Sequence, residues 1–180
     1  MKRVFLTSGP RGSGKSTYLK KVLGNHPELT VISRDEIAIS LFGSIYLDHY
    51  TGDFSYLQEI VFERVGKILA ENNNATIILD YWNGYPGERK FIISKLKKLG
   101  ADEVYCLYFE VPSAVCVEWF KKKTDAGSLP EASIRDDCEL YYNLSRNIRE
   151  DGFDEVFTIN PLQGELEYGL SIPFLIDRKK

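Results

Sequence analysis

The residues best placed to do chemistry form one short run: Gly9, Pro10, Arg11, Gly12, Ser13, Gly14, Lys15, Ser16 and Thr17. The spacing fits G-x-x-x-x-G-K-[ST], a loop that cradles phosphates. Gly9, Gly12 and Gly14 let the backbone turn tightly and aim its N–H groups inward. Lys15 has the reach and charge for the β- and γ-phosphates of a nucleoside triphosphate, and the Ser16 hydroxyl is a magnesium ligand. Ser13 and Thr17 complete the nucleotide-binding set. A chance match in a glycine-rich turn is the plainer reading. The setting argues against it: residues 4–7 read as a strand and residues 15–23 as a helix, the order this motif requires.

Two acids stand at the ends of apolar runs. Residues 75–80 are strand-like and close on Asp80, where a carboxylate orders magnesium or its water. Residues 29–33 run directly into Arg34, Asp35 and Glu36. Ligands of an open parallel sheet sit beyond the carboxyl ends of its strands, so this end faces a site. The competing reading is a helix start capped by Ser33 or Asp35. It leaves Arg34 unexplained, because a cation is disfavoured at a helix N-terminus. Arg89, in the first turn of a helix opened by Pro86 or Gly87, raises the same question. Either it meets a phosphate or acceptor, or it pairs with Glu88 or Asp80. Trp82 and its aromatic neighbours Tyr81 and Tyr85 lie beside Asp80 and offer faces to a ring.

The elements that position these residues alternate strand and helix. Strands are expected at residues 4–7, 29–33, 75–80, 103–109 and 155–159. Helices are expected at 15–23, from 34 through Ile37, Ile39 and Leu41, at 57–71, from 86 or 87 to Leu99, from 111–113 through Phe120, and from Pro130 to about Arg149. The 57–71 helix should bury Ile60, Val61, Val65, Ile68 and Leu69. Residues 42–56, glycine-rich and aromatic, read as either an acceptor flap or a loop folded back on the core. Lys121, Lys122 and Lys123 end one helix, and a loop then leads to Arg135 on the next. That is the layout of a lid over residues 121–130, which supplies positive charge and excludes water. A solvated basic helix end is the equal alternative. Asn160 lies at the ligand-side end of the last strand, where an adenine would rest.

Composition fits a single soluble domain: 180 residues, 43% hydrophobic and 27% charged, with a net charge of −3. An acidic balance argues against a surface built to grip long nucleic acid. No apolar run reaches membrane-spanning length. Cys106, Cys116 and Cys138 lack metal-ligand spacing and are read as reduced core thiols of a cytoplasmic protein.

The order of these pieces resembles the P-loop kinases around phage polynucleotide 5′-hydroxyl kinase and the zeta-toxin-like group. The resemblance spans roughly residues 1–161 and rests on Gly12 to Thr17, Ser33-Arg34-Asp35-Glu36, Leu79-Asp80 with Pro86-Gly87-Glu88-Arg89, and Val111-Pro112. It implies that Asp35 is the general base for the acceptor hydroxyl. Three positions depart from the family. Ala38 stands where polynucleotide kinases carry an acceptor-phosphate arginine. Lysines, Lys123 among them, replace the lid arginines, and Arg11 stands where proline is frequent.

The expectation is a three-layer α/β/α nucleoside-kinase-like fold with five parallel strands ordered 2-3-1-4-5, spanning residues 1–161, and a tail at 162–180 packed on it. ATP and magnesium serve Lys15, Ser16 and Asp80, Asp35 activates the acceptor, and Lys123 and Arg135 close over the transfer. Arg34, Asp35, Trp82 and Arg89 bind the acceptor, foremost the 5′-hydroxyl of a polynucleotide end. A small-molecule acceptor, or an ATPase or switch with no acceptor, are the alternatives. No membrane and no obligate protein partner is expected.

Overall fold

Alternation along the strands sorts the core into two layers. In the computed structural model, which describes residues 1–26, 29–45, 53–122 and 130–162, strand β1 spans Lys2–Ser8. Its Val4 and Leu6 side chains join one apolar cluster, while Phe5 joins another on the opposite face of the sheet. Strand β3 (Ala75–Asp80) divides likewise, with Ile77 and Leu79 on one face and Ile78 on the other. Such two-sided burial is the mark of a parallel sheet covered by helices on both faces. A fully buried side chain of this size contributes roughly 1.5–3 kcal/mol.

The sheet has five strands, all parallel, ordered β2-β3-β1-β4-β5, as the sequence predicts. Strand β2 is Thr30–Ser33, β4 is Glu103–Phe109 and β5 is Glu155–Ile159. Helix α1 (Lys15–Asn25) packs Tyr18 and Leu19 on the Phe5 face. Helices α2 (Arg34–Phe42), α3 (Asp53–Glu71) and α4 (Pro86–Lys98) cover the Val4 face. Helices α5 (Ser113–Lys121) and α6 (Glu131–Leu144) form a third cluster between themselves around Cys116 and Cys138. All three cysteines are free and buried.

Three expectations need correction. Helix α3 starts at Asp53, so Phe54 and Tyr56 belong to its first turns and not to a loop. Its buried face is Leu57, Val61, Phe62, Val65 and Leu69, with Ile60 and Ile68 only partly covered. Helix α6 ends at Leu144, and a separate 3-10 turn (Ile148–Glu150) follows, because the chain must bring Asp151 inward. In α2 the buried residues are Ile37 and Ala38, while Ile39 and Leu41 are exposed. Among the described residues no helix is long and apolar enough to cross a membrane. The 46–52 part of the aromatic segment, most of the 121–130 lid including Lys123, and the tail beyond Leu162 lie outside the described residues.

Candidate active site

The parallel sheet brings the ends of β2, β3 and β1 side by side. Ser33 pairs with Asp80 in register, and Leu79 with Leu6, so Asp80 sits next to Thr7. The Thr7 hydroxyl donates to Asp80 Oδ1 at 2.7 Å and fixes that half-buried carboxylate beside the start of the phosphate loop.

The loop between β1 and α1 has the shape that phosphate needs. Gly12 has φ +74°, and a Cβ there would stand 2.1 Å from the Cys116 carbonyl oxygen, so only glycine fits. Gly14 has φ +87° and lies against the Trp119 indole and the Pro161 ring. Lys15 folds back over the loop, its ammonium donating to the Gly9 and Pro10 carbonyls at 2.7 and 2.8 Å. Ser13 is buried and donates its hydroxyl to Pro10 O at 2.8 Å, which tightens the turn. Ser16 and Thr17 open α1 and are exposed.

On the other side of Asp80, Ser33 caps α2 by accepting the Glu36 N–H. That leaves Asp35 outside the capping role, exposed at the strand end. Arg34 donates to Asp35 Oδ1 at 2.9 Å and lies 5.5 Å over the Phe54 ring. These contacts offset a cation's poor fit at a helix N-terminus.

Arg89 does not reach an acceptor, which corrects the expectation for it. Its side chain is wholly buried and donates to Asp151 Oδ2 at 2.5 Å, to the Asn83, Gly84 and Leu144 carbonyls and to the Ser145 hydroxyl. It clamps the loop after β3 to the end of α6. Trp82 remains exposed on that loop, edge-on to Tyr85 at 5.6 Å between centroids.

The remaining candidates sit around the rim. Arg135 is exposed on α6, near Asp137, which pairs with Arg11 at 3.8 Å, and Cys138, whose thiol donates to Arg11 O at 3.7 Å. Lys121 and Lys122 are held by Glu131 and Glu118, so neither stands unpaired over the loop. Asn160 turns the chain by accepting the Leu162 N–H at 3.0 Å, which sets Pro161 beside Gly14.

Sequence reasoning missed a buried polar knot under this site. Asn83 donates to the Thr7 and Tyr81 carbonyls at 2.7 and 2.6 Å and accepts from Ser8 at 2.7 Å and Tyr141 at 3.1 Å. The Tyr141 oxygen in turn accepts the Gly9 N–H at 2.7 Å. Burial pushes the Tyr141 hydroxyl up, so it keeps its proton and can donate. No local pattern announces partners this far apart in the chain. Trp119 was also missed, since an aromatic in an apolar helix reads as core. Its signal was its place between the β4 end and the lysines.

The donor set fits magnesium with a triphosphate. Ser16 and Asp80 supply hard oxygens, the ligands such an ion takes alongside phosphates and water. Among the described residues no group of three or more His, Cys, Asp or Glu side chains could hold a metal alone.

Residues 4–139 match the model of the AAA domain family. The chain belongs to that family. Its fold is that of the P-loop kinases, and solved structures bear this out. A chain of the Pnkp1/Rnl/Hen1 RNA repair complex superposes with a TM-score of 0.69 at 16% identity, over 81% of this chain and 46% of that one. This chain thus spans under half the length of that neighbour. A fungal RNA kinase gives 0.62 at 19% identity, over 99% and 90% of the two chains. Shikimate kinase from Acinetobacter baumannii, in complex with shikimate, gives 0.58 at 14%, over 89% and 84%. A comparison with curated proteins finds no match.

Proposed function

We propose that the protein transfers the γ-phosphoryl group of ATP to a hydroxyl acceptor, foremost the 5′-hydroxyl of a polynucleotide end. The observation that carries this is Asp35: an exposed carboxylate at a strand end, one strand from Asp80, with Ser33 doing the capping in its place. Asp35 accepts the proton as the acceptor oxygen bonds to the γ-phosphorus and the bond to the ADP oxygen breaks. Lys15 moves from the loop carbonyls to the β- and γ-phosphates. Magnesium, held by Ser16 and the Asp80 shell, would neutralise phosphate charge. Arg34 orients Asp35, and Trp82 offers its exposed face to the acceptor. Lys123 and Arg135 close over the transfer, and the adenine rests by Asn160. The RNA-kinase neighbours support the polynucleotide acceptor, and the buried free thiols support a cytoplasmic setting.

A small-molecule acceptor is the second reading. Ala38, where a polynucleotide kinase carries an arginine, is fully buried, so this turn of α2 offers no cation to an acceptor phosphate. The test is transfer of labelled γ-phosphate, with magnesium, to 5′-hydroxyl RNA and DNA oligonucleotides beside nucleosides and small alcohols, with Asp35→Asn as control. Label on oligonucleotide ends that the variant loses supports the proposal. Label only on small molecules selects the second reading. Released phosphate alone, undiminished in the variant, leaves an ATPase.

A further inference from the structure

Trp82 and Tyr85 are 47% and 50% exposed, yet the loop that carries them is held firmly from beneath. Asn83, between them, spends all of its amide atoms below: it donates to the Thr7 and Tyr81 carbonyls and accepts from Ser8 and Tyr141. The buried Arg89 grips the Asn83 and Gly84 carbonyls at 3.1 and 2.8 Å. A loop tied in this way cannot fold its aromatic side chains inward. Two large rings kept in water on a rigid base call for a partner.

The rings are also arranged. A Cβ on Gly84 would stand 2.6, 2.9 and 3.3 Å from Cζ2, Cη2 and Cε2 of Trp82. The six-membered ring of the indole thus occupies the space that any side chain at 84 would take. Tyr85 meets the indole at 65°, with 5.6 Å between centroids, so the two rings form a corner. That corner leaves the sheet level with Asp35. Ser33 and Asp80 pair in register, and Asp35 and Trp82 each lie two residues beyond them on neighbouring strands' ends. Helix α3 ties the two together. Its Phe54 ring lies 5.5 Å from Arg34, which holds Asp35, and Gln58, one turn on, donates to the Tyr81 hydroxyl at 3.2 Å.

We infer that this corner takes the nucleobase of the acceptor, the terminal base stacking on Trp82 beside Tyr85 while the hydroxyl of its sugar lies at Asp35, with Gly84 as the positioning residue that seats the indole; this rests on the kinase reading above. Exposed ring faces suit a flat ring, and stacking reads no base identity. The hydroxyls of a base-free sugar would need hydrogen-bond partners here, and Asn83, the one amide side chain of the loop, has none left to give. The substrate is therefore a base-bearing end of any sequence and not a base-free sugar or polyol.

Removing the base tests this without altering the protein. The measurement is steady-state transfer of labelled γ-phosphate to a 5′-hydroxyl oligonucleotide and to the same chain with an abasic 5′-terminal residue. The wild type should show a KM for the abasic end raised on the order of ten- to a hundredfold, with kcat little changed. Gly84→Ala keeps both rings but adds the Cβ that the indole must clear. Because the indole is half exposed, it can swing aside with the fold intact, which the melting temperature checks. This variant should raise the KM for the intact end toward the abasic value, lose the distinction between the two ends, and bind ATP as the wild type does. Equal KM values for the two ends in the wild type, or a Gly84→Ala enzyme that still tells them apart, overturns the inference and leaves the kinase reading standing. No wild-type transfer to either end overturns the polynucleotide reading, and the inference falls with it.

Discussion

The Ser8 hydroxyl donates to Asn83 Oδ1 at 2.7 Å, and both residues are buried. Ser8 ends the strand that opens into the phosphate loop, and Asn83 sits in the loop that carries Trp82 and Tyr85. One amide thus sets the distance between the phosphate side and the acceptor side. Asn83→Ala would strand the Thr7 and Tyr81 carbonyls and the Ser8 and Tyr141 hydroxyls. A loss of roughly 2–4 kcal/mol is expected, read by urea denaturation. A loss within a few tenths of wild type would mean that water replaces the amide at no cost.

Asp35→Asn keeps the size of the side chain and removes the base. Phosphoryl transfer should fall roughly 10²- to 10⁴-fold, with ATP affinity unchanged, as measured by single-turnover transfer and by titration. Weakened ATP binding to the same extent would place Asp35 on the donor side instead.

Arg89 and Asp151 form a buried ion pair, with the two side chains 0% and 5% exposed. Arg89→Met removes one partner and leaves the other charge unmet, which costs about 3–5 kcal/mol. Lysine cannot reach the carbonyls of Asn83, Gly84 and Leu144 together, so Arg89→Lys should rescue only part of this. Thermal melts of both variants are the check. A stable Arg89→Met protein with a raised acceptor KM would restore the substrate role.

Much of this arrangement could be read in the chain. The β3 run ending in Asp80 and the β2 run leading into Arg34 announced both the strands and the edge where the site lies. Local signals failed where the partner is remote. A cation at a helix start looks like a ligand for phosphate, and Asp151, 62 residues on, carried no sign that it would turn inward to meet Arg89. The helix through Ile37, Ile39 and Leu41 was legible, but which of its faces is covered was not: Ile37 and Ala38 are buried and Ile39 and Leu41 exposed. The capping contest at 33–35 could not be decided from residue types, since serine and aspartate both cap.

Trp119 lies against Gly14, at the mouth of the phosphate loop and next to Pro161. If the adenine rests there, stacking on the indole contributes roughly 1–3 kcal/mol, and Trp119→Ala should weaken ATP binding accordingly. The chain has 2 tryptophans, so Trp82→Phe leaves Trp119 as the sole reporter. ATP should quench its fluorescence. Unchanged emission at saturating ATP would show that the indole only packs.

Glu88 also gives stability a dependence on pH. Burial raises its carboxyl above the ordinary value of 4.5, against the pull of the Tyr85 N–H, Arg89 and Arg34. Between 4.5 and the higher folded value, the folded state holds more protons than the unfolded state. Stability from this group is therefore full below the unfolded pKa and falls as pH rises through the folded one. Glu88→Gln has no proton to lose. The stability of wild type relative to Glu88→Gln should decline as pH climbs from 4.5 and level off once the folded carboxyl has ionised. Paired denaturation curves across that range measure it directly. A difference that rises with pH would mean that the two guanidiniums outweigh burial.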